Sequence, residues 1–296
     1  KNDLKMNKIG VIDEPFLEKI KVGDVFVLGG KKYQFMYTRG MKMYVKSGVK
    51  KNPTIPSWFS EQMPLNFDSA IEINKFRKII NDKLEKIDIL NINNEKEEVI
   101  KYIAEYCYID KIVAEFIYDY FFEQYKFAKI PHQRRILLEY YKGEKNYVIF
   151  HSLYGRRVND ALSRALAYLM AQKIGRDIEL GINDNGFYFS GENLPIDEAL
   201  NFLNSENLYE ILENAINKTE ILKRRFRHCA TRGLMILKNY KGRYKSVGKQ
   251  QMNSHFLMND INKISKNFPI IKEARREVLE DLMDVKNTQF VLDLIK

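Results

Sequence analysis

Cysteine is nearly missing from this 296-residue sequence; Cys107 and Cys229 are the only two. They form no CxxC pair, which excludes both the spacing of a structural zinc site and a disulfide framework. Each falls in a helical pattern, as reduced, buried thiols of a cytoplasmic protein do. No apolar run approaches the ~20 residues that cross a bilayer. No secretory signal opens the chain, and neither does a Met; a start of Lys1-Asn2-Asp3 reads as a piece of something longer. There is no G-x-x-x-x-G-K-[ST], and Gly29-Gly30-Lys31-Lys32 lacks that spacing, so no phosphate cradle of the P-loop kind is present. G-x-S-x-G and H-E-x-x-H are missing as well. The four histidines, His132, His151, His228 and His255, stand far apart. No catalytic residue and no metal ligand is therefore assigned.

Acidic residues are missing from two stretches. From Val25 to Ser60 there are seven Lys or Arg and no acid, and from Lys223 to Lys249 ten Lys or Arg and no acid. Glu61 to Glu123 reverses the balance, with fourteen acids against eight bases. The net charge of +10 is thus carried in blocks. Blocks imply one cationic surface and a neutral or acidic back.

The second basic stretch also has helical order. Leu222, Phe226, Cys229, Ala230, Gly233 and Leu237 form an apolar stripe. Arg224, Arg227, Thr231 and Lys238 fall opposite, with Arg225, His228 and Arg232 between. Lys241 to Lys249, including Arg243 and Tyr244, reads as a flexible basic loop with one aromatic. Such a concentration of charge is the footprint of a polyanion, most simply nucleic acid. A solvated helix face is the plainer alternative, but ordinary surfaces intersperse both signs.

The pattern predicts an α+β fold: a small N-terminal antiparallel β meander over residues 1–60, then a mostly helical body over 61–296 holding two further β-hairpins, packed as one unit with the first. Lys8–Ile12, Val25–Leu28, Lys31–Tyr37 and Met41–Val45 are the predicted strands, with Gly29-Gly30 as a hairpin turn. Pro53 to Trp58 is an extended connector. Trp58 either stacks on a base or plugs the sheet against the helices. Helices are expected over 67–90, 96–108 and 110–127, the last with Val113, Phe116, Ile117, Tyr120 and Phe121 as its core stripe. Residues 136–151 and 177–189 read as hairpins. Further helices follow near 156–169, 195–203, 208–216, 250–264 and 269–284, with a short one closing near Leu294.

Between the hairpins, a strand ends at Ser152 and a helix starts near Gly155. Val158, Ala161, Leu162, Ala165, Leu166 and Leu169 give it an apolar face, with Arg156, Asn159, Asp160 and Ser163 opposite. Free amides and the dipole at a helix N-terminus attract phosphate. Arg156 and Arg157 in that first turn are unfavourable for the helix, so they serve either an anion or an internal salt bridge to Asp160 or a neighbouring acid. Asp177, Glu179, Asp184 and Glu192 are the carboxylates a metal-dependent nuclease would need, although such scatter is common in hairpins.

Several ordered blocks resemble one family. Lys8-Ile-Gly-Val-Ile-Asp-Glu-Pro-Phe16 with Gly23–Gly30 is similar to the segment following the winged helix in Lhr-type (large helicase-related) superfamily 2 helicases. Pro53–Trp58, Phe150-His-Ser-Leu-Tyr-Gly-Arg-Arg-Val-Asn159, Phe226–Arg232, Tyr240–Arg243 and Phe268–Asp284 continue the likeness. The region is the one called DEAD/H-associated. The resemblance implies an ATP-dependent, 3′-to-5′ translocating parent that uses ATP and magnesium. This chain, without motor motifs or winged helix, is expected to need no cofactor and neither to hydrolyse ATP nor to unwind alone. Its expected partners are single-stranded DNA or RNA and the motor and winged-helix domains of the same polypeptide. From charge, the expected strand contacts are Arg156, Arg157, Asn159, Arg224, Arg225, Arg227, Arg232, Lys238, Lys241, Arg243 and Lys249, with Trp58 and Tyr244 as stacking candidates. A docking scaffold and a metal-dependent nuclease or base-processing enzyme are the alternative functions.

Overall fold

A computed structural model describes residues 8–10, 12, 16, 20, 22–39, 42–51, 63–86, 92–217, 219–241, 243–245, 247–265 and 267–295. In chain order its elements begin with strands β1 (Val25–Leu28), β2 (Lys31–Arg39) and β3 (Lys42–Ser47). Helices α1 (Phe67–Leu84), α2 (Ile92–Cys107) and α3 (Lys111–Phe127) follow. Next come β4 (Leu137–Lys142), β5 (Asn146–His151), α4 (Arg156–Ile174), β6 (Glu179–Asn183) and β7 (Gly186–Ser190). Then α5 (Ile196–Phe202), α6 (Leu208–Ile216) and α7 (Glu220–Arg232) lead to the two-residue strands β8 (Asn239–Tyr240) and β9 (Arg243–Tyr244). Helices α8 (Val247–Ile264) and α9 (Pro269–Arg276), a π-helix over Glu277–Leu282 and α10 (Val285–Leu294) close the chain. The α+β class expected from the pattern is the class observed.

Residues 1–62 and 223–274 form one compact unit, and 63–222 with 275–296 the other. The chain returns to the first unit at residue 223, where the second acid-free stretch begins.

In the first unit, β1, β2 and β3 form an antiparallel sheet. Gly29 and Gly30, at φ 56° and 74°, make the β1–β2 turn that L-residues with side chains resist. Ile20, Phe26, Tyr33 and Phe35 pack as its core. Of the strand expected at Lys8–Ile12, residues 8–10 and 12 lie in no strand and residue 11 is outside the described residues. The connector with Trp58 also lies outside them.

In the second unit, Asn66 caps α1 by accepting from the Asp68 amide, and Asp110 caps α3 by accepting from the Val113 amide. Helices α1, α2 and α3 enclose Ile80, Leu84, Val99, Ile100, Ile103, Ala114, Tyr118 and Phe121. The expected core stripe of α3 is largely displaced. Phe121 does enter the core and Ile117 packs against it, but Val113, Phe116 and Tyr120 face solvent, Phe116 at 72% exposure. Residues 113/116/120 and 114/118/121 both satisfy helical spacing, and size alone does not select between them.

The two later hairpins fuse into one antiparallel sheet, β4-β5-β7-β6. Phe150, Phe187 and Phe189 pack ring against ring on its inner face, Phe150 and Phe187 stacked at 4.6 Å. Each such ring removed from water contributes about 2 kcal/mol. Helix α4 packs on β6 and β7 of this sheet, burying Val158, Ala161, Leu162, Ala165, Leu166 and Met170. Asn159 and Ser163, expected on its solvent side, are fully buried.

The pairing expected in the last helices is there, as Arg276 meets Glu280 at 3.4 Å and Asp281 at 3.3 Å. Arg275 instead reaches Glu213 of α6 at 3.3 Å.

His132, buried before β4, accepts from the Arg134 amide through Nδ1. Burial, then Arg135 and Lys78, press its pKa below the ordinary 6.5, outweighing Asp82 and Glu85. The unfolded chain therefore binds this proton at a higher pH than the native one. Its contribution to stability is full above pH 6.5 and is lost as pH falls through the depressed native value. Urea midpoints taken from pH 7 to about pH 5 should fall less in His132→Asn than in the parent. Equal declines would contradict this.

Candidate nucleic-acid interface

The charge blocks coincide with the compact units. The first holds 25 Lys or Arg against 8 Asp or Glu, a formal +17; the second holds 24 against 31, a formal −7. On the β2–β3 hairpin Lys31, Arg39, Lys42 and Lys46 are exposed. Helix α7 buries Leu222, Phe226, Cys229 and Ala230, four of the six stripe positions expected. Arg224 and Arg232 are exposed, and Arg225 and His228 half-buried. Arg227 departs from expectation: it is 7% exposed, and its carbonyl accepts from the Thr231 hydroxyl. A guanidinium so enclosed does not lie where a backbone phosphate reaches it.

The helix stops at Arg232, so the periodicity extended to Leu237 and Lys238 does not apply. Amides of Met235 and Ile236 both donate to the Ala230 carbonyl, and Ile236 is buried, which turns the chain back on itself. Lys238 and Lys241 are exposed beyond that turn. The segment expected as a loose loop pairs as β8–β9, closed by Lys245 N–H donating to Lys238 O at 2.9 Å. Lys249 is exposed in the first turns of α8. The side chains of Arg243 and Tyr244, like Trp58, lie outside the described residues.

The second unit places the stretch Phe150–Asn159 in a buried polar clamp. Asn159 Nδ2 donates to Ser152 O at 2.7 Å, Asn183 O at 3.0 Å and Asp184 O at 3.3 Å, and Ser152 Oγ donates to Asn159 Oδ1 at 2.7 Å. Asn159 thus joins the end of β5 to the β6–β7 turn, and it is not placed to touch a strand. Asp184 Oδ1 accepts from the Arg156 amide at 2.8 Å and the Leu65 amide at 3.0 Å. The α4 N-terminus, expected to offer free amides to phosphate, has the Asp184 carboxylate on its first one. Gly155 is required here: its φ is 87°, and a Cβ would sit 2.7 Å from Leu65 O. Tyr154, fully buried, donates to Gln133 O, and burial pushes its phenol well up.

Arg156 projects into solvent, while half-buried Arg157 donates to Glu280 O at 2.7 Å. Asp160 pairs with Arg164. The carboxylates weighed for a nuclease have separate duties, with Asp184 as cap and Glu179 paired to Lys145. Among the described residues no group of three or more His, Cys, Asp or Glu is placed to hold a metal.

The DEAD/H associated family model matches residues 130–296, and the chain belongs to that family, in the form that Lhr-type helicases carry. A second model, the winged helix domain of large helicase-related proteins, matches residues 3–55. This corrects the expectation that the winged helix lies outside the chain. Strand alternation dominates the sequence pattern there, and the same model spans those strands. The sequence is 47% identical over 97% of its length to the ATP-dependent helicase Lhr-Core of Methanothermobacter thermautotrophicus, and 42% identical over 97% to that of Saccharolobus solfataricus. The chain spans about a third of the length of these curated relatives, 33% in both. In fold it is similar to Mycobacterium smegmatis helicase Lhr, solved bound to ssDNA and AMP-PNP. That likeness has a TM-score of 0.63 at 20% identity, over 83% of this chain and 30% of that one.

Asn159→Ala strands several buried carbonyls and the Ser152 hydroxyl, and should cost on the order of 3 kcal/mol in urea unfolding. Asp184→Asn keeps an acceptor for both amides and loses only charge at a helix start, so about 0.5–1 kcal/mol is expected. Equal costs for the two would contradict the clamp.

Proposed function

We propose that this chain is the strand-binding, non-catalytic region of an ATP-dependent Lhr-type DNA or RNA helicase. The cation excess of the first unit, 25 against 8, carries the proposal. The contacting groups are its exposed cations Arg224, Arg232, Lys238, Lys241 and Lys249, with Arg225 beside them. Lys and Arg on backbone phosphates position a strand without reading its sequence. Arg156, exposed on the second unit, is a separate candidate. Arg227 and Asn159 are set aside because both are buried.

Support comes from two directions. The relatives are named ATP-dependent helicases, and the structural neighbour was solved with single-stranded DNA. ATP and magnesium belong, on this reading, to other parts of the parent polypeptide. The sequence has no G-x-x-x-x-G-K-[ST] run. Its task is to hold the strand while those parts move it, in the cytoplasm.

Binding to a single strand releases counterions, so log K against log salt has a slope near −0.7 per phosphate engaged. Reversing Arg224, Lys238 and Lys241 together to Glu should flatten that slope by about 2. An unchanged slope contradicts the proposal. So does salt-sensitive binding to a motor fragment with none to oligonucleotides, which is the behaviour of a docking scaffold.

A further inference from the structure

The β2–β3 hairpin has a feature that its charge does not explain. Pairing runs Phe35 to Val45 and then Tyr37 to Tyr44, so Met36 is an extra residue, a β-bulge. Strict alternation would put Tyr37 on the same face as Tyr33 and Phe35, both in the core. Beyond the bulge the strand is turned over. Met43 and Val45 pack toward that core, so Tyr44 between them points away, and its partner Tyr37 points away with it. The two rings stack at 4.7 Å with 18° between their planes. Tyr37 remains 48% exposed and Tyr44 is half-buried behind it.

Three cations flank this pair on its own hairpin. Arg39 and Lys42 are partners in the register, each two residues from its tyrosine toward the hairpin turn and on the same face. Lys46 lies two residues on the other side of Tyr44, ~7 Å along the strand. All three are exposed, and the sequence from Val25 to Ser60 holds no acid. A tyrosine pair that served only the hairpin would do so as well on the core side, without leaving Met36 unpaired. A flat aromatic face with cations on both sides matches a base with its flanking phosphates.

We propose that Tyr37, backed by Tyr44, is a stacking platform for one unpaired nucleobase, with Arg39, Lys42 and Lys46 holding the phosphates on either side. This site rests on the strand-binding function above and adds a contact that charge alone does not supply. Every base has a π-face, so the site is indifferent to sequence. It favours single strands, because a paired base has both faces covered by its neighbours.

The test uses the whole 296-residue chain, a fluorescein-labelled oligo-dT strand and an abasic strand of equal length, read by anisotropy across a salt series. Tyr37→Ala should bind oligo-dT about ten-fold more weakly than the parent. Its salt slope should stay as it was, since stacking releases no counterion. Tyr37→Phe and Tyr37→Trp should bind as the parent does. On the abasic strand Tyr37→Ala and the parent should match. If Tyr37→Ala does not fold, Tyr37→Leu, which keeps the carbon but not the ring, should show the same selective loss. Parental affinity of the folded variant for oligo-dT, or an equal loss on both strands, overturns the stacking site and leaves strand binding standing. A parent chain that binds neither strand sinks the strand-binding function itself.

Discussion

Like charges gathered on one body repel, and the first unit carries a formal +17. Its 8 acids cannot neutralise 25 cations one to one. The screening length at physiological salt is ~8 Å, so neighbouring cations on one helix or hairpin still feel one another. The second unit shows how the same chain treats an ordinary surface. There Lys75 meets Glu72, Lys78 meets Asp82, Lys111 meets Glu97 and Lys126 meets Glu123. Each such pair is worth little alone, but together they intersperse both signs along these helices. A unit that carries a formal +17 keeps that field for an anion from outside. A polymer of phosphates answers it best, because each phosphate engaged frees a counterion.

The stretch that carried the family likeness most plainly, Phe150 to Asn159, does its work indoors. Ser152, Gly155 and Asn159 occupy places where the backbone leaves no choice: a buried hydroxyl, a left-handed turn against Leu65 O, and an amide facing three carbonyls. A buried network of this sort rigidifies only when every member is satisfied. It fixes the end of β5 against the β6–β7 turn and so aligns α4 over the sheet. Arg156 then emerges from the first turn of that helix. Architecture and charge are thus adjacent in sequence but divided by side, and a motif can look like a binding site while acting as the joint behind one.

Much of this was legible in advance. Alternation and turn residues located seven of the strands, and 3.6-residue periodicity the helices, because those signals are local. Local signals also produced the errors. The α3 face was displaced because two apolar stripes compete within Lys111–Phe127. Arg227 and Asn159 read as surface by residue type, yet each is held in the interior. A carboxylate from residue 184 capping a helix that starts at residue 156 is invisible to any window. So is the joining of two hairpins through β5 and β7. Tyr37 was hidden for another reason: a single extra residue inverts the face of everything after it. The charge blocks survived translation into structure because they sit in segments long enough to make whole elements.

Hydrogen exchange with and without saturating single-stranded oligonucleotide measures directly where a strand touches the protein. Slowed exchange should appear over residues 31–46 and 223–249, the two cation-rich segments of the first unit, and leave 95–127 unchanged. Slowing concentrated in 95–127, or missing from both cationic segments, would contradict it.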